Sequence, residues 1–379
     1  HLVDAEAKAV RHDLPPRYYR KLPRLAAREY SGQARIHAMA VELIRHGDGR
    51  LDADRLTRFV VAFQTVAPLS IGELWAWPSM LKLALIENLR RLAEGIRAGR
   101  TARLQADAAL AALESGASAG PLPVPLHSAF VAQLRHRMRE HDQRVAPFHV
   151  LVEEALIESG TTPEDVVRSE YQRQATDQAS TGNTVTSLRL CATLDWSRYV
   201  ERVSLVEQIL RRDPAAVYPR MDFQSRDRYR QAVEELSEPT GEAQVRVALR
   251  AVESARSSGQ GAAPRAHGPQ TNRGSERKTS DGRVTHVGYH LIGKGRRGLE
   301  IDVAWHPPPG QRLRRFVFTH ATAVYLGGSG LLTGLGVFAA TAYVRAWGAP
   351  EMALAAALLA LVPASELATL LVQRIVAAR

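Results

Sequence analysis

The chain has 379 residues, 45% of them apolar, and a formal net charge of +11, enough sequence for one or two folded domains. Its charge is uneven: Glu253 to Arg315 holds 12 Lys and Arg against 5 Asp and Glu, just ahead of the most apolar part of the chain. That placement favours an anionic membrane surface over a nucleic acid as the counter-charge, and the single cysteine, Cys191, excludes a disulfide within the chain and suits a reducing compartment.

The chain opens on His1 in a polar stretch without a charged-then-apolar signal segment. It is therefore expected to be cut from something longer, or to lack its true start. Ile36, Met39, Ala40, Leu43 and Ile44 share one helical stripe, and Leu56, Phe59, Val60 and Phe63 repeat it after Asp52 and Asp54. Ser70-Ile-Gly-Glu73 is a capping box that starts a helix carrying Trp75 and Trp77. Pro78 is expected to break or restart that helix. Leu81, Ala84, Leu85 and Leu92 continue its apolar face, with Glu87 four residues before Arg91.

Residues 116–126 are rich in Pro, Gly and Ala and read as a linker. Thr162-Pro163 starts a further helix and Asp195-Trp196 another, with Val203, Val206 and Leu210 inward. Ser225 is expected to cap the helix bearing Tyr229, Ala232, Val233 and Leu236, and Thr240 the one bearing Val245, Ala248, Leu249 and Val252. Residues 254–283, rich in Ser, Gly, Arg and Pro, read as flexible. A short ordered piece is expected at 286–292.

From 316 to 344 the chain carries no charge, and a second apolar run from 352 to 372 is broken only by Glu366. About 20 residues of helix span the hydrocarbon core, so the two runs predict a transmembrane hairpin. Arg312, Arg314 and Arg315 precede it and Arg374 and Arg379 close it, while the turn holds only Arg345 and Glu351. The positive-inside rule then places residues 1–315 and the C-terminus in the cytoplasm, with Tyr343 and Trp347 at the outer interface. Gly327, Gly330 and Gly334 mark a face for close helix approach. Glu366 is costly in lipid and is expected to meet protein or headgroups.

The fold expected is all-α: a multi-helix cytoplasmic domain of stacked helical hairpins followed by a two-helix transmembrane hairpin. The organisation reads as an N-terminal helical subdomain over 1–115, the linker 116–126, and a second helical subdomain over 127–253. A flexible basic linker over 254–285, a juxtamembrane segment over 286–315 and the hairpin over 316–379 follow.

Catalytic signatures are missing. His127, His136, His141 and His149 lie near one helix, but a five-residue step does not align His136 with His141 as ligands. Gly293-Lys-Gly-Arg-Arg-Gly298 lacks the strand, helix and Lys-Ser/Thr ending of a phosphate loop. Glu153-Glu154 and Glu234-Glu235 read as solvated helix faces. The basic run from Arg90 to Arg103 lacks aromatic interleaving and gives no nucleic-acid partner.

Several longer segments carry a resemblance. They are 18–25 (Tyr-Tyr-Arg-Lys-Leu-Pro-Arg-Leu), 65–89 around Glu-Leu-Trp-Ala-Trp-Pro, 182–189, Asp195-Trp196, 220–230 (Arg-Met-Asp-Phe-Gln-Ser-Arg-Asp-Arg-Tyr-Arg) and 286–292. Together they resemble the N-terminal region of bacterial cyclic β-1,2-glucan synthases. The match covers most of residues 15–300 and extends into the first membrane hairpin.

The resemblance implies a very large, multi-pass inner-membrane enzyme of Gram-negative bacteria. Such an enzyme polymerises glucose from UDP-glucose through a protein-linked glucan and cyclises the product. A processive glycosyltransferase domain with a divalent metal follows the first hairpin, and cyclising and phosphorylase-like domains come later. Neither the D-x-D carboxylates nor the Q-x-x-R-W motif of that transferase is present here, so no catalytic residue, metal ligand or cofactor site is carried over to this chain. The basic linker also departs from the family by its length.

The implied role is scaffolding, with the bilayer, the transferase and later domains of the same protein, and glucan as partners. Trp75, Trp77, Met221, Asp222, Arg226 and Arg228 are the candidate contacts to a domain or to glucan, the two indoles first because their faces stack on either. The competing reading is a membrane-anchored helical interaction protein with no link to glucan.

Overall fold

The computed structural model describes residues 1–26, 29–138, 146–260, 283–306, 310, 312, 317, 319–346 and 350–377. The described residues form sixteen α-helices and no strand, the all-α fold expected. They fall into two compact units, His1–Ala304 and Trp305–Arg379.

In the first unit, α1 (Leu2–Asp13), α2 (Pro16–Lys21), α3 (Arg35–Arg45) and α4 (Ala53–Gln64) lead to the 44-residue α5 (Ile71–Glu114). The next helices are α6 (Ser128–Met138), α7 (Ala146–Glu158), α8 (Pro163–Thr193), α9 (Trp196–Val203) and α10 (Leu205–Leu210). They are followed by α11 (Phe223–Thr240), α12 (Gln244–Gln260), α13 (Val287–Leu291) and α14 (Arg296–Asp302).

Short polar side chains set many of the starts by accepting a backbone N–H that the helix leaves unpaired. Asp52 accepts from Arg55 N at 2.7 Å, Thr162 from Asp165 N at 3.2 Å, and Asp195 from Arg198 N at 3.1 Å. The capping box at Ser70 is complete: its hydroxyl accepts from Glu73 N at 3.1 Å, and the Glu73 carboxylate accepts from Ser70 N at 2.9 Å.

Three expectations are corrected. Pro78 neither breaks nor restarts a helix, since α5 runs through it. Burial of Leu74, Trp77 and Leu81 around the proline holds the axis, and the cost is one lost main-chain bond. Asp222, not Ser225, caps α11, accepting from Ser225 N at 3.0 Å. Thr240 lies in the last turn of α11, which ends on Gly241 at φ 69°, the left-handed conformation that glycine adopts freely. In addition, α12 continues to Gln260, into the stretch read as linker. The remainder, 261–282, lies outside the described residues, as do His141, Arg314, Arg315 and Trp347.

One apolar core gathers α3, α4, the first half of α5, the end of α8 and α9 around Ile36, Leu56, Trp77, Met80 and Leu188. A second gathers the far half of α5 with α6 and α7 around Leu110, Phe130, Leu134 and Val152. Helices α10 to α14 pack on one another and bury Leu210, Val233, Leu236, Val247 and Val287.

The second unit contains α15 (Ala321–Ala346) and α16 (Ala353–Ala377), packed as a hairpin. Both are long and apolar enough to cross a membrane, and neither hides its apolar residues inside the protein. A Cβ on Gly336 would stand 2.9 Å from the Ala364 Cβ, whereas Gly327, Gly330 and Gly334 face open space. The close approach within the hairpin therefore falls on Gly336, not on the glycine face read from the sequence.

Candidate functional site

The segment 220–230, one of the motif-like stretches, leads into a buried charge network. Glu207 stands in the first turn of α10, where Ser204 caps the helix by accepting from Glu207 N at 3.2 Å. Its side chain is fully buried, and Arg230 on α11 is 1% exposed. Arg230 Nη1 donates to Glu207 Oε2 at 2.9 Å and to Glu201 Oε1 at 3.3 Å, and its Nη2 to Asp227 at 3.2 Å. The guanidinium also lies 4.8 Å from the centre of the Phe223 ring. Tyr218 Oη donates to Glu207 at 2.7 Å, and Arg211 Nε donates to it at 2.9 Å.

Burial works against the charge on Glu207. The donors Tyr218, Arg211 and Arg230 outweigh it and hold the carboxyl below its ordinary range. Burial and the neighbouring carboxylate push the Tyr218 hydroxyl far up, so it remains a donor.

Asp213 completes the network. Its Oδ2 accepts from Val217 N, Tyr218 N and His286 Nδ1 at 3.0, 3.1 and 2.8 Å, and its Oδ1 from Val287 N at 2.9 Å. Burial opposes its charge, but these donors draw the carboxyl down to about 2. Every charge here meets a partner, and the arrangement is one that holds helices in register rather than one that presents a reactive group.

The candidate contact residues surround this network unevenly. Trp75 is half-buried on α5 and meets the Phe223 ring edge-on at 6.1 Å. Trp77 is fully buried and stacks on Phe59 at 6.2 Å, so core side chains cover its indole. Met221 is half-buried and Asp222 is the exposed cap of α11, its carboxyl lowered by the bonds from Ser225. Arg226 is committed to Glu201 at 2.8 Å, while Arg228 is exposed. Glu366 lies exposed on α16.

Other sequence features resolve as structure. His127 Nδ1 accepts from Ala129 N at 3.1 Å at the start of α6, and His149 sits 3.4 Å from Glu153. Arg90, in the basic run, bonds Glu87 and Glu94 on α5 itself. The 293–298 segment turns into α14. Among the described residues no cluster of His, Cys, Asp or Glu could hold a metal. The described clefts include one of about 390 Å³ beside Glu42, His46 and Phe59 and one of about 270 Å³ beside Arg35 and Glu73. Sequence reasoning missed Glu207, Asp213 and Tyr218. An acidic residue inside a largely apolar run, as Glu207 between Val206 and Ile209-Leu210, is the signal available in the sequence.

No family model matches the chain. It is 32% identical over 377 residues to the cyclic beta-(1,2)-glucan synthase NdvB of Rhizobium meliloti (strain 1021). The alignment takes in 97% of this chain and 13% of that protein, so the chain spans about an eighth of the relative's length. The resemblance carried by the 18–25, 65–89, 220–230 and 286–292 segments thus extends along nearly the whole sequence. The relationship and the two apolar helices together support membrane association.

Proposed function

We propose that this chain is the cytoplasmic helical region and first membrane hairpin of a cyclic β-1,2-glucan synthase, and that it scaffolds the reaction without catalysing it. The observation that carries the reading is the alignment over 97% of the chain to 13% of a glucan synthase. That span contains a buried network in which the carboxylates and cations pair with one another, where a catalytic site would need an open one. In this reading α15 and α16 cross the bacterial inner membrane. Residues 1–315 and the C-terminus then lie on the cytoplasmic side, where UDP-glucose is available.

UDP-glucose and a divalent metal are bound by the transferase domain of the whole enzyme, not by this chain. Its partners are the bilayer, the transferase and later domains, and the growing glucan. Trp75, Met221, Asp222 and Arg228 are the contact candidates with surface to offer. Nothing on the competing side, a membrane scaffold unrelated to glucan, accounts for the end-to-end alignment.

The test is glucan synthesis from labelled UDP-glucose in membranes. The chain expressed alone should incorporate none, and a whole synthase carrying this segment should make cyclic product. Deleting residues 1–304 from that synthase should abolish or shorten the product. Polymer made by the chain alone, or unchanged product after the deletion, would overturn the reading.

A further inference from the structure

Residues 283–304 rejoin the helical bundle after the 261–282 stretch and directly precede the second unit in sequence. Their contacts form a dedicated seat. Two of the four donors to the buried Asp213 carboxylate come from this segment, His286 Nδ1 and Val287 N. The other two come from the turn at 217–218. Asp213 thus works as an N-cap supplied from outside the helix it caps. Without the segment it would be a buried carboxylate short of half its donors, a costly state.

Shape reinforces the charge. A Cβ on Gly288 would stand 2.4 Å from Tyr229 Oη and 2.5 Å from its ring, so only glycine lets α13 approach α11. The same tyrosine meets His286 Nε2 at 3.3 Å, with the two rings edge-on at 5.7 Å. Val287 and Leu291 are completely buried and Leu299 is 1% exposed, with α13 and α14 packed on α12. Farther along, Arg296 Nη2 reaches Glu235 on α11 at 2.9 Å.

We infer that residues 283–304 are a peptide ligand of the chain's own α10–α12 surface, and that this clasp holds the bundle to the second unit without help from the 261–282 connection. The groove recognises a short helix by its free N-terminal N–H, the imidazole just before it and a glycine at its second position. The inference does not depend on the glucan reading.

The experiment uses the whole chain with a C-terminal tag and a specific protease site placed within 261–282. After cleavage in mild detergent, the tag is captured and the N-terminal piece is measured. Wild type should retain it, and Gly288→Val should lose it by tenfold or more. Gly298→Ala, at a glycine with nothing within 4 Å, should behave as wild type. Tyr229→Phe, which removes the His286 contact from the bundle side without adding bulk, should weaken retention measurably. Loss of the piece from cleaved wild type overturns the clasp, as does full retention by Gly288→Val.

Discussion

Arg230 and Glu207 show how the network holds together and how it fails. Both side chains are buried, and each depends on the other for compensation. Removing one partner of such a pair leaves an unpaired interior charge, at a cost of about 3–5 kcal/mol. Arg230→Met should therefore lose roughly that much stability in chemical denaturation of the whole chain, whereas Arg228→Met, at an exposed position, should change it by less than about 0.5 kcal/mol.

Asp213 adds a pH dependence with a defined sign. Its carboxyl is depressed from an ordinary 3.8 to about 2 in the folded state. The stabilisation is therefore complete above about pH 4 and drains away as pH falls toward 2, on the order of 2 kcal/mol in total. Asp213→Asn should remove that component of acid sensitivity while lowering stability at neutral pH. An unaltered acid profile in the variant would show the carboxyl to be unimportant. Little of this is legible in the sequence: the Glu207–Arg230 and Asp213–His286 pairs join positions far apart in the chain, and spacing rules report only neighbours on one helix.

At the level of elements, local chemistry was legible where one short motif decides the outcome. The Ser70 box, the Thr162 cap and the Asp195 cap all stand as read, because each involves a side chain and an N–H three residues apart. Ser70→Ala should cost about 1 kcal/mol of stability in thermal or chemical unfolding. The misread positions have a common cause. Asp222 and Ser225 are both cap-forming residue types three apart, and at Pro78 the surrounding core outweighs backbone preference.

The hairpin gives a similar lesson about glycine. A small-xxx-small pattern states which side of α15 is thin, not which side faces α16. Gly336→Leu should push the helices apart, since its Cβ position lies 2.9 Å from Ala364, while Gly330→Leu should leave their pairing intact. Energy transfer between labels on the two helices during detergent titration reads the difference. Equal effects of the two substitutions would contradict the register.

For the molecule as a whole, the question is which side of a bilayer each end of the hairpin reaches. Arg312, Arg314 and Arg315 precede α15 and Arg374 and Arg379 lie at the end of the chain, against Arg345 and Glu351 around the turn. That asymmetry predicts a cytoplasmic start and end. The chain lends itself to a direct measurement. Its one cysteine, Cys191, is 1% exposed, and burial pushes its thiol up to about 12, which keeps it unreactive toward maleimides near neutral pH. Ala346→Cys at the turn end of α15 should react with a membrane-impermeant maleimide in intact cells. Ala321→Cys at its other end should react only after the inner membrane is opened. The opposite pattern would invert the orientation, and labelling of both positions from one side would mean that α15 does not span.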